Sequence, residues 1–528
     1  MRRFIGITLT MLLAASLVSW AGGTPERGAA AVDNSIVVVS GVIPTLNPFG
    51  GHKDTGYVTD NIFASLTRFD SNNDIVPYLA ESWVVSNQGR TYTFNLRRNA
   101  FFHDGTPITA EDVIFSIELT LVHNRFGQAM FGPIERMETP DDHTLVLHLS
   151  QPHPALLISA AQARTFPILP KHVYGNFDGE FSNHPAHEAP VVGSGPFVFK
   201  EWVPDEYLIL ERNPNHFIPD RPLLDKITFR VVTDMTAMRA GFRRNDFHLA
   251  SAAVRFRDLD TFAAEPNLTV TKMDSPNGGG GYLEFNNRRE PLNDRRVRQA
   301  IGHAIDRDYL ADVLNAGYTR ASRGPFPYTN LFFHEGLQGR GLDLERANRL
   351  LDEAGFPRQG ANGIRFELGV LYIAPPYNPD RQVVVAEFIE QELAKVGIRV
   401  IQQPMEGAAA WSRRMADWDY DMSLILAGDR VDPAVGIGRL YVTDNIRNQA
   451  YTNTSGFSNP RVDELFMRGA REPDSERRMA IYAEVQALLV EEMPMVWLVD
   501  AVDHMIHVEN LFFPTWGHST HLDEVEWN

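Results

Sequence analysis

Residues 36–39, Ile-Val-Val-Val, form a short apolar run closed by Ser40-Gly41, the pattern of a buried strand. The loop Pro44-Thr45-Leu46-Asn47-Pro48 follows, its course fixed by two prolines. Tyr92, Phe94 and Leu96 alternate with polar residues, as do Leu145, Leu147 and Leu149, and each set predicts a half-buried strand. Between them, Thr109-Ala-Glu-Asp112 reads as a capping box, and Val113, Ile117 and Leu121 continue at helical spacing. The first part of the chain is therefore mixed α and β.

The character changes at Asn277, which precedes four consecutive glycines, Gly278 to Gly281, and the strand-like Tyr282-Leu-Glu-Phe285. Glycine tolerates backbone angles that other residues resist, so this run predicts a hinge or crossover. Beyond it, Val297, Ile301 and Ile305 share one helical face, Asp343 can cap a helix ending at Gly355, and Val385, Ile389, Leu393 and Val396 precede Gly397. Strand patterns at 364–372, 398–402 and 420–427 alternate with these helices, which predicts an α/β lobe with a substantially parallel sheet. Ser475 can cap a last long helix closed by Pro494, and the apolar run Val496 to Val499 reads as a strand returning to the first lobe.

Arg2 and Arg3 precede an apolar run from Phe4 to Trp20, followed by small residues. That is the form of a secretory signal, too short for a membrane span of about 20 residues. Cleavage is expected after Ser19-Trp20-Ala21, making residues 1–21 the signal peptide, with Ala29-Ala30-Ala31 as a later alternative. The chain contains no cysteine, which excludes disulfides, thiolate metal sites, thiol nucleophiles and lipid attachment at Cys. A periplasmic protein that is not a lipoprotein is the expectation. With 528 residues, 49 basic against 67 acidic and a formal charge of −18, the chain has material for several cores but lacks the basic excess of a nucleic-acid binder.

No phosphate-binding loop, nucleophile elbow or zinc-protease motif occurs in the chain. The pairs His504/His507 and His518/His521 have spacing from which a metal site can be built, but surface or satisfied histidines on irregular structure are the preferred reading, and no metal or other cofactor is expected. A secreted hydrolase with a cleft carboxylate pair is the rival class. It is disfavoured because no nucleophile or distinct acid–base pair can be named.

Several spaced motifs carry a resemblance: Pro77-Tyr-Leu-Ala-Glu-Ser-Trp83, Thr91-Tyr-Thr-Phe-Asn-Leu-Arg97, Phe102-His-Asp-Gly-Thr-Pro-Ile-Thr-Ala-Glu-Asp-Val113, Gly193-Ser-Gly-Pro-Phe197, and Asp294-Arg-Arg-Val-Arg-Gln-Ala-Ile301. From about residue 36 to its end the chain resembles the family 5 extracytoplasmic solute-binding proteins, the oligopeptide-, dipeptide- and nickel-binding components of ABC importers. The resemblance implies an α/β, two-lobed type II periplasmic-binding-protein fold with an extra sub-domain in lobe I. Lobe I would span 32–276 with an inserted sub-domain at about 56–190, lobe II 277–495, and 496–528 would return to lobe I. It further implies capture of a peptide or similar amine-bearing small solute by a monomer, for delivery to permease subunits in the inner membrane.

The resemblance also marks site residues. Gly428-Asp429-Arg430-Val431-Asp432-Pro433 is similar to a segment whose first Asp pairs with a ligand ammonium in peptide-binding relatives, which points to Asp429. Asp432, before Pro433, fits a helix cap instead. Relatives often carry Gly-Trp before this segment, where this chain has Leu424-Ile-Leu426. That departure removes an aromatic wall and leaves an oligosaccharide, an opine or chelated nickel as alternative ligands. Trp411 is a candidate to supply an aromatic face, with a packed helix position as the other reading. The loop residues Thr45, Leu46 and Asn47 are further ligand candidates, because relatives bring that loop into the cleft.

Overall fold

The computed structural model describes residues 34–50, 53–70, 72–188, 190–250, 254, 256–273, 279–360, 362–374, 381–428, 431–514 and 522–528. The expected signal peptide and Asp429 lie outside them. Three larger sheets organise the chain. A seven-stranded sheet has the spatial order Leu268–Met273, Asp503–Val508, Leu249–Ala250, Ser35–Ser40, Lys226–Val231, Tyr207–Arg212, Phe197–Val203. A six-stranded sheet runs Arg320–Ala321, Met495–Ala501, Gly279–Phe285, Met422–Gly428, Phe366–Ile373, Ile398–Met405. An antiparallel four-stranded sheet, Ala80–Ser86, Thr91–Leu96, Thr144–Leu149, Ile134–Asp141, forms a sub-domain within the first lobe's sequence.

The alternation read in the sub-domain strands is the packing that holds it together. Tyr92, Phe94 and Leu96 are buried with Leu145, Leu147 and Leu149, and the helix Ala110–His123 adds Val113 and Ile117 to the same core. That helix starts where its capping residues stand: the backbone N–H and hydroxyl of Thr109 both donate to the Asp112 carboxylate at 2.9 Å. In the second lobe Asp343 caps Leu344–Glu353, accepting from the Arg346 N–H at 2.8 Å, and Gly355 takes φ 93° just beyond. The last long helix, Ser475–Glu492, is capped by Asp474 rather than Ser475. Its carboxylate accepts from the Arg477 N–H at 2.9 Å, and a carboxylate also suits the positive end of the helix better than a hydroxyl.

Two sequence expectations are corrected at the crossing between lobes. Met495–Ala501 pairs with Gly279–Phe285 and with Arg320–Ala321, so it belongs to the second lobe, and the return strand of the first lobe starts at Asp503 instead of near 496. The second-lobe sheet is also mixed. Phe366–Ile373 is parallel to Ile398–Met405 and Met422–Gly428, as helical crossovers require, but Gly279–Phe285 is antiparallel to both its neighbours. A strand that enters the lobe must lie opposite to the one that leaves it.

The entering and leaving strands stay paired on both sides of the crossing: Met273 lies opposite Asp503 in one sheet, and Gly279 opposite Ala501 in the other. The described glycines of the run are not a loose loop. Gly279, Gly280 and Gly281 are strand residues paired on both edges. A Cβ at Gly279 would run into the Ala427 carbonyl, and one at Gly280 into the Tyr282 ring, so here glycine serves close packing.

Asp500 fixes the loop after Arg320–Ala321 to this crossing. It sits opposite Gly280, is 2% exposed, and accepts the Tyr328 N–H at 3.1 Å. Burial pushes its carboxyl from 3.8 up to about 6, against the pull of Ser322, the Tyr328 N–H and Arg320. An acid whose folded pKa is raised favours the native state most when protonated. The Asp500 contribution is therefore greatest below about pH 4 and is lost as pH rises through about 6. Asp500→Asn should flatten that part of the stability–pH curve in urea titrations. An unchanged slope between pH 4 and 6 would refute the assignment.

Candidate functional site at the seam between the lobes

The strand Met422–Gly428 lies between Gly279–Phe285 and Phe366–Ile373, and its residues are buried apart from Leu426 and Gly428. Leu426 is 49% exposed beside Gly281 and leaves an aliphatic surface near the strand end. Gly428 pairs with Gly279, the first described residue after the crossing. Asp429 and Arg430 fall outside the described residues.

At Val431 the chain is held tightly. Val431 takes φ 64°, a conformation unfavourable for a β-branched residue, and is fully buried. Its side chain packs with Phe69, Ala161, Ile75 and Ile158, all from the first lobe. The Val431 carbonyl accepts from Asn330 Nδ2 at 3.0 Å, which ties the wedge back to its own lobe. Val435 goes further and is buried within the sub-domain core. The segment from 431 to 435 is thus a second-lobe element seated in the first lobe.

Asp432 anchors that segment as a turn residue: no helix starts at Pro433, as its place in the sequence suggests, and residues 433–436 form a turn ahead of the short helix Ile437–Leu440. Asp432 is fully buried, accepts the Ala434 N–H at 2.9 Å, and meets Arg478 with both carboxylate oxygens at 2.7 Å. Arg478, 4% exposed, also donates Nε to the Gly469 carbonyl at 2.7 Å and lies over the Phe332 ring. Burial alone would pull the Arg478 pKa down, but Asp432, Tyr482 and their hydrogen bonds outweigh it and hold the guanidinium above its ordinary value.

The remaining candidates have mostly structural surroundings. Trp411 is 2% exposed in the second-lobe core, with Nε1 donating to Ser423 Oγ at 3.0 Å and its ring 5.2 Å from Tyr451. The packed-helix reading describes it, and it has no face to offer a ligand. Leu46 is fully buried in the first-lobe core. Thr45 and Asn47 are half-buried, but their side chains turn onto the loop itself: Thr45 Oγ1 accepts the Asn47 N–H at 3.0 Å, and Asn47 Oδ1 accepts the Phe49 N–H at 2.9 Å.

His504 and His507 lie in the strand Asp503–Val508, where a spacing of three puts them on opposite faces. His507 meets Thr271 Oγ1 at 2.9 Å, while His504 packs edge-on against Tyr318. No group of three or more His, Asp or Glu among the described residues is placed to hold a metal ion. His518 and His521 lie outside the described residues.

Sequence reasoning missed Val431 and Arg478. Arg478 stands 46 residues from its partner with no local signal joining them. The only hint for Val431 is an apolar residue inside an otherwise polar turn.

Comparison with known proteins agrees with this architecture. The profile of the bacterial extracellular solute-binding proteins, family 5 Middle, matches residues 74–448. Protein XP55 of Streptomyces lividans is 29% identical over 92% of this chain and 86% of its own. Di/tripeptide-binding protein 1 of Pseudomonas aeruginosa is 27% identical over 84% of each chain. In three dimensions, the periplasmic binding protein DppA of Helicobacter pylori, solved with the peptide STSA, superposes with a TM-score of 0.79 at 24% identity, covering 93% of this chain and 98% of its own. The two-lobed α/β fold expected from the sequence is the one observed. With the profile spanning well over half its length, the chain belongs to the family 5 bacterial extracellular solute-binding proteins, which bind and hand on solutes and are not enzymes.

Proposed function

We propose that this protein captures a peptide or similar amine-bearing small solute in the periplasm and delivers it to the permease subunits of an ABC importer, working as a monomer. Family membership and relatives whose names specify di- and tripeptides support the transport role. The observation that carries the site is the path of the chain at the seam. Within three residues it passes from Gly428, at the end of a second-lobe strand, to Val431, buried against the first lobe. Asp429 lies in that interval, and its carboxylate is the group assigned to the ligand ammonium. The half-exposed Leu426 replaces the aromatic wall of peptide-binding relatives with an aliphatic one.

The same reading has the chain exported by a signal cleaved at or after Ala21 and not lipidated. No helix among the described residues is long and apolar enough to cross a membrane. N-terminal sequencing of protein exported from a Gram-negative host should find no Met1, and membrane-bound material with Met1 intact would contradict it. Seam contacts such as Val431 on Phe69 favour the arrangement in which the lobes meet, and a ligand spanning them adds to that preference. Titration calorimetry with di- and tripeptides should therefore show saturable binding without products, accompanied by a smaller radius of gyration in X-ray scattering. Binding with an unchanged radius would remove the closure, and product formation would remove the binding role.

A further inference from the structure

The strand Gly279–Phe285 carries a carboxyl group that plays no part in the seam. Glu284 is 2% exposed and lies between Ser423 and Met495 on the two neighbouring strands. Its Oε1 accepts from the Tyr420 hydroxyl and from the Thr454 hydroxyl, each at 2.6 Å. It forms no ion pair with a described residue. Arg288 is the cation that acts on it, from further off. That guanidinium donates Nη1 to the Thr454 carbonyl at 2.8 Å and lies 4.0 Å from the Trp418 ring centroid. A buried carboxylate with two hydroxyl partners loses more hydration than they return. Burial accordingly pushes the Glu284 carboxyl from 4.5 up to about 7, against the pull of Thr454, Tyr420 and Arg288.

The group holds down a loop. Residues 452–457 lie outside helices and strands, yet Asn453, Thr454 and Ser455 are each 1% exposed or less. Their docking runs through the end of the Glu284 strand. The Asn287 N–H and Nδ2 both donate to the Ser455 carbonyl, at 2.8 and 3.3 Å, beside the Arg288 and Glu284 bonds to Thr454. Gly456 takes φ 69°, and a Cβ there would run into the Arg288 guanidinium. Tyr451, just before this segment, is backed by Trp411, and the guanidinium of the sub-domain's Arg125 lies 5.6 Å from its ring centroid. The same loop thus touches the buried carboxyl at one end and the first lobe at the other.

We propose that Glu284, with the Tyr420 and Thr454 hydroxyls, is a pH-sensitive catch that holds segment 452–457 in place in acid and releases it as the medium turns alkaline. The neutral carboxyl bonds to hydroxyls that accept as readily as they donate, so no charge is buried. The ionised carboxylate gains by reaching water. Its strand is paired on both edges and Tyr420 is 1% exposed in the core, which leaves the loop as the element that can give way. An acid whose pKa is raised in the closed state supports that state fully below its ordinary value, here 4.5, and the support is lost as pH rises through about 7. If the lifted loop returns Glu284 to its ordinary value, opening becomes about tenfold more favourable at pH 8 than at pH 6. Release would take Tyr451 from under Arg125 and loosen one contact between the lobes. That consequence for capture rests on the transport reading above, whereas the release is a property of the empty protein.

Hydrogen exchange of the solute-free protein, corrected for intrinsic rates and read by mass spectrometry, tests the catch. Amides of segment 452–457 should be about tenfold less protected at pH 8 than at pH 6, while those of the strand Phe366–Ile373 keep their protection. Glu284→Gln has the same shape and no charge to lose, so its segment should be equally protected at both pH values. If this variant does not fold, Glu284→Leu is read in the same way. Equal protection of the wild-type segment at both pH values would overturn the proposal. So would a pH effect that survives the loss of Glu284, or one of equal size in the control strand.

Discussion

Asp429→Asn is expected to weaken capture of the native solute by about 30- to several-thousand-fold while leaving the thermal midpoint of the empty protein nearly unchanged. The reasoning starts from charge. A ligand ammonium enclosed between two lobes loses its water, and a carboxylate beside it forms a charge-assisted hydrogen bond that replaces that hydration. The Asn amide keeps the size but removes the charge, so the ammonium is left buried without an ionic partner, at a cost of about 2–5 kcal/mol. The empty protein loses little, because its seam is held by neighbours of Asp429: Val431 in its apolar cluster and Asp432 on Arg478. If Asp429 only turns the chain, the pattern reverses, with a lower midpoint and intact affinity.

Arg478→Met should do the opposite and act chiefly on stability. Its removal leaves the fully buried Asp432 carboxylate with only the Ala434 N–H among its partners in the described residues. Breaking such a buried pair from one side costs about 3–5 kcal/mol, much of it the penalty of an uncompensated charge. For a unit of this lobe's size that is a fall in thermal midpoint on the order of 10 °C. Replacing both partners with apolar residues, Asp432→Leu with Arg478→Met, should recover much of the loss, because the buried charge then disappears along with its partner. Differential scanning calorimetry on the two single variants and the double variant checks this. A double variant as unstable as the sum of the singles would show that the pair does not act as a unit. Because Asp432 also orients Val431, the single variants should loosen the seam and weaken solute binding as a secondary effect.

What could be read from the sequence was local. The alternation of Tyr92, Phe94 and Leu96, the Thr109–Asp112 cap and the Asp343 cap are each set by residues within a few positions of one another, and the structure shows each of them. The run Val496 to Val499 reads as a return to the first lobe but pairs in the second-lobe sheet. A strand buried on both faces reads as apolar throughout, and nothing in that pattern says which sheet receives it. The glycine run marks the crossing, but by allowing close packing in a paired strand, and periodicity cannot separate that from flexibility.

At the site, the Asp-x-x-Asp-Pro spacing separates a turn residue from a ligand candidate, and Asp432 takes the turn. Trp411 and Leu46 illustrate the converse. An apolar residue beside a functional loop has the same sequence signature whether it faces a ligand or the core, and both of these face the core. The pair Asp432–Arg478 joins positions 46 residues apart in the chain, so only the fold brings them together.

The most direct test of the central claim is mass spectrometry of whatever co-purifies with the exported protein, released by denaturation and quantified against protein. The account predicts a near-stoichiometric small solute bearing a free amine, a short peptide above all, whose affinity falls in the Asp429→Asn protein. A neutral sugar in that place, bound equally well by both proteins, would contradict it.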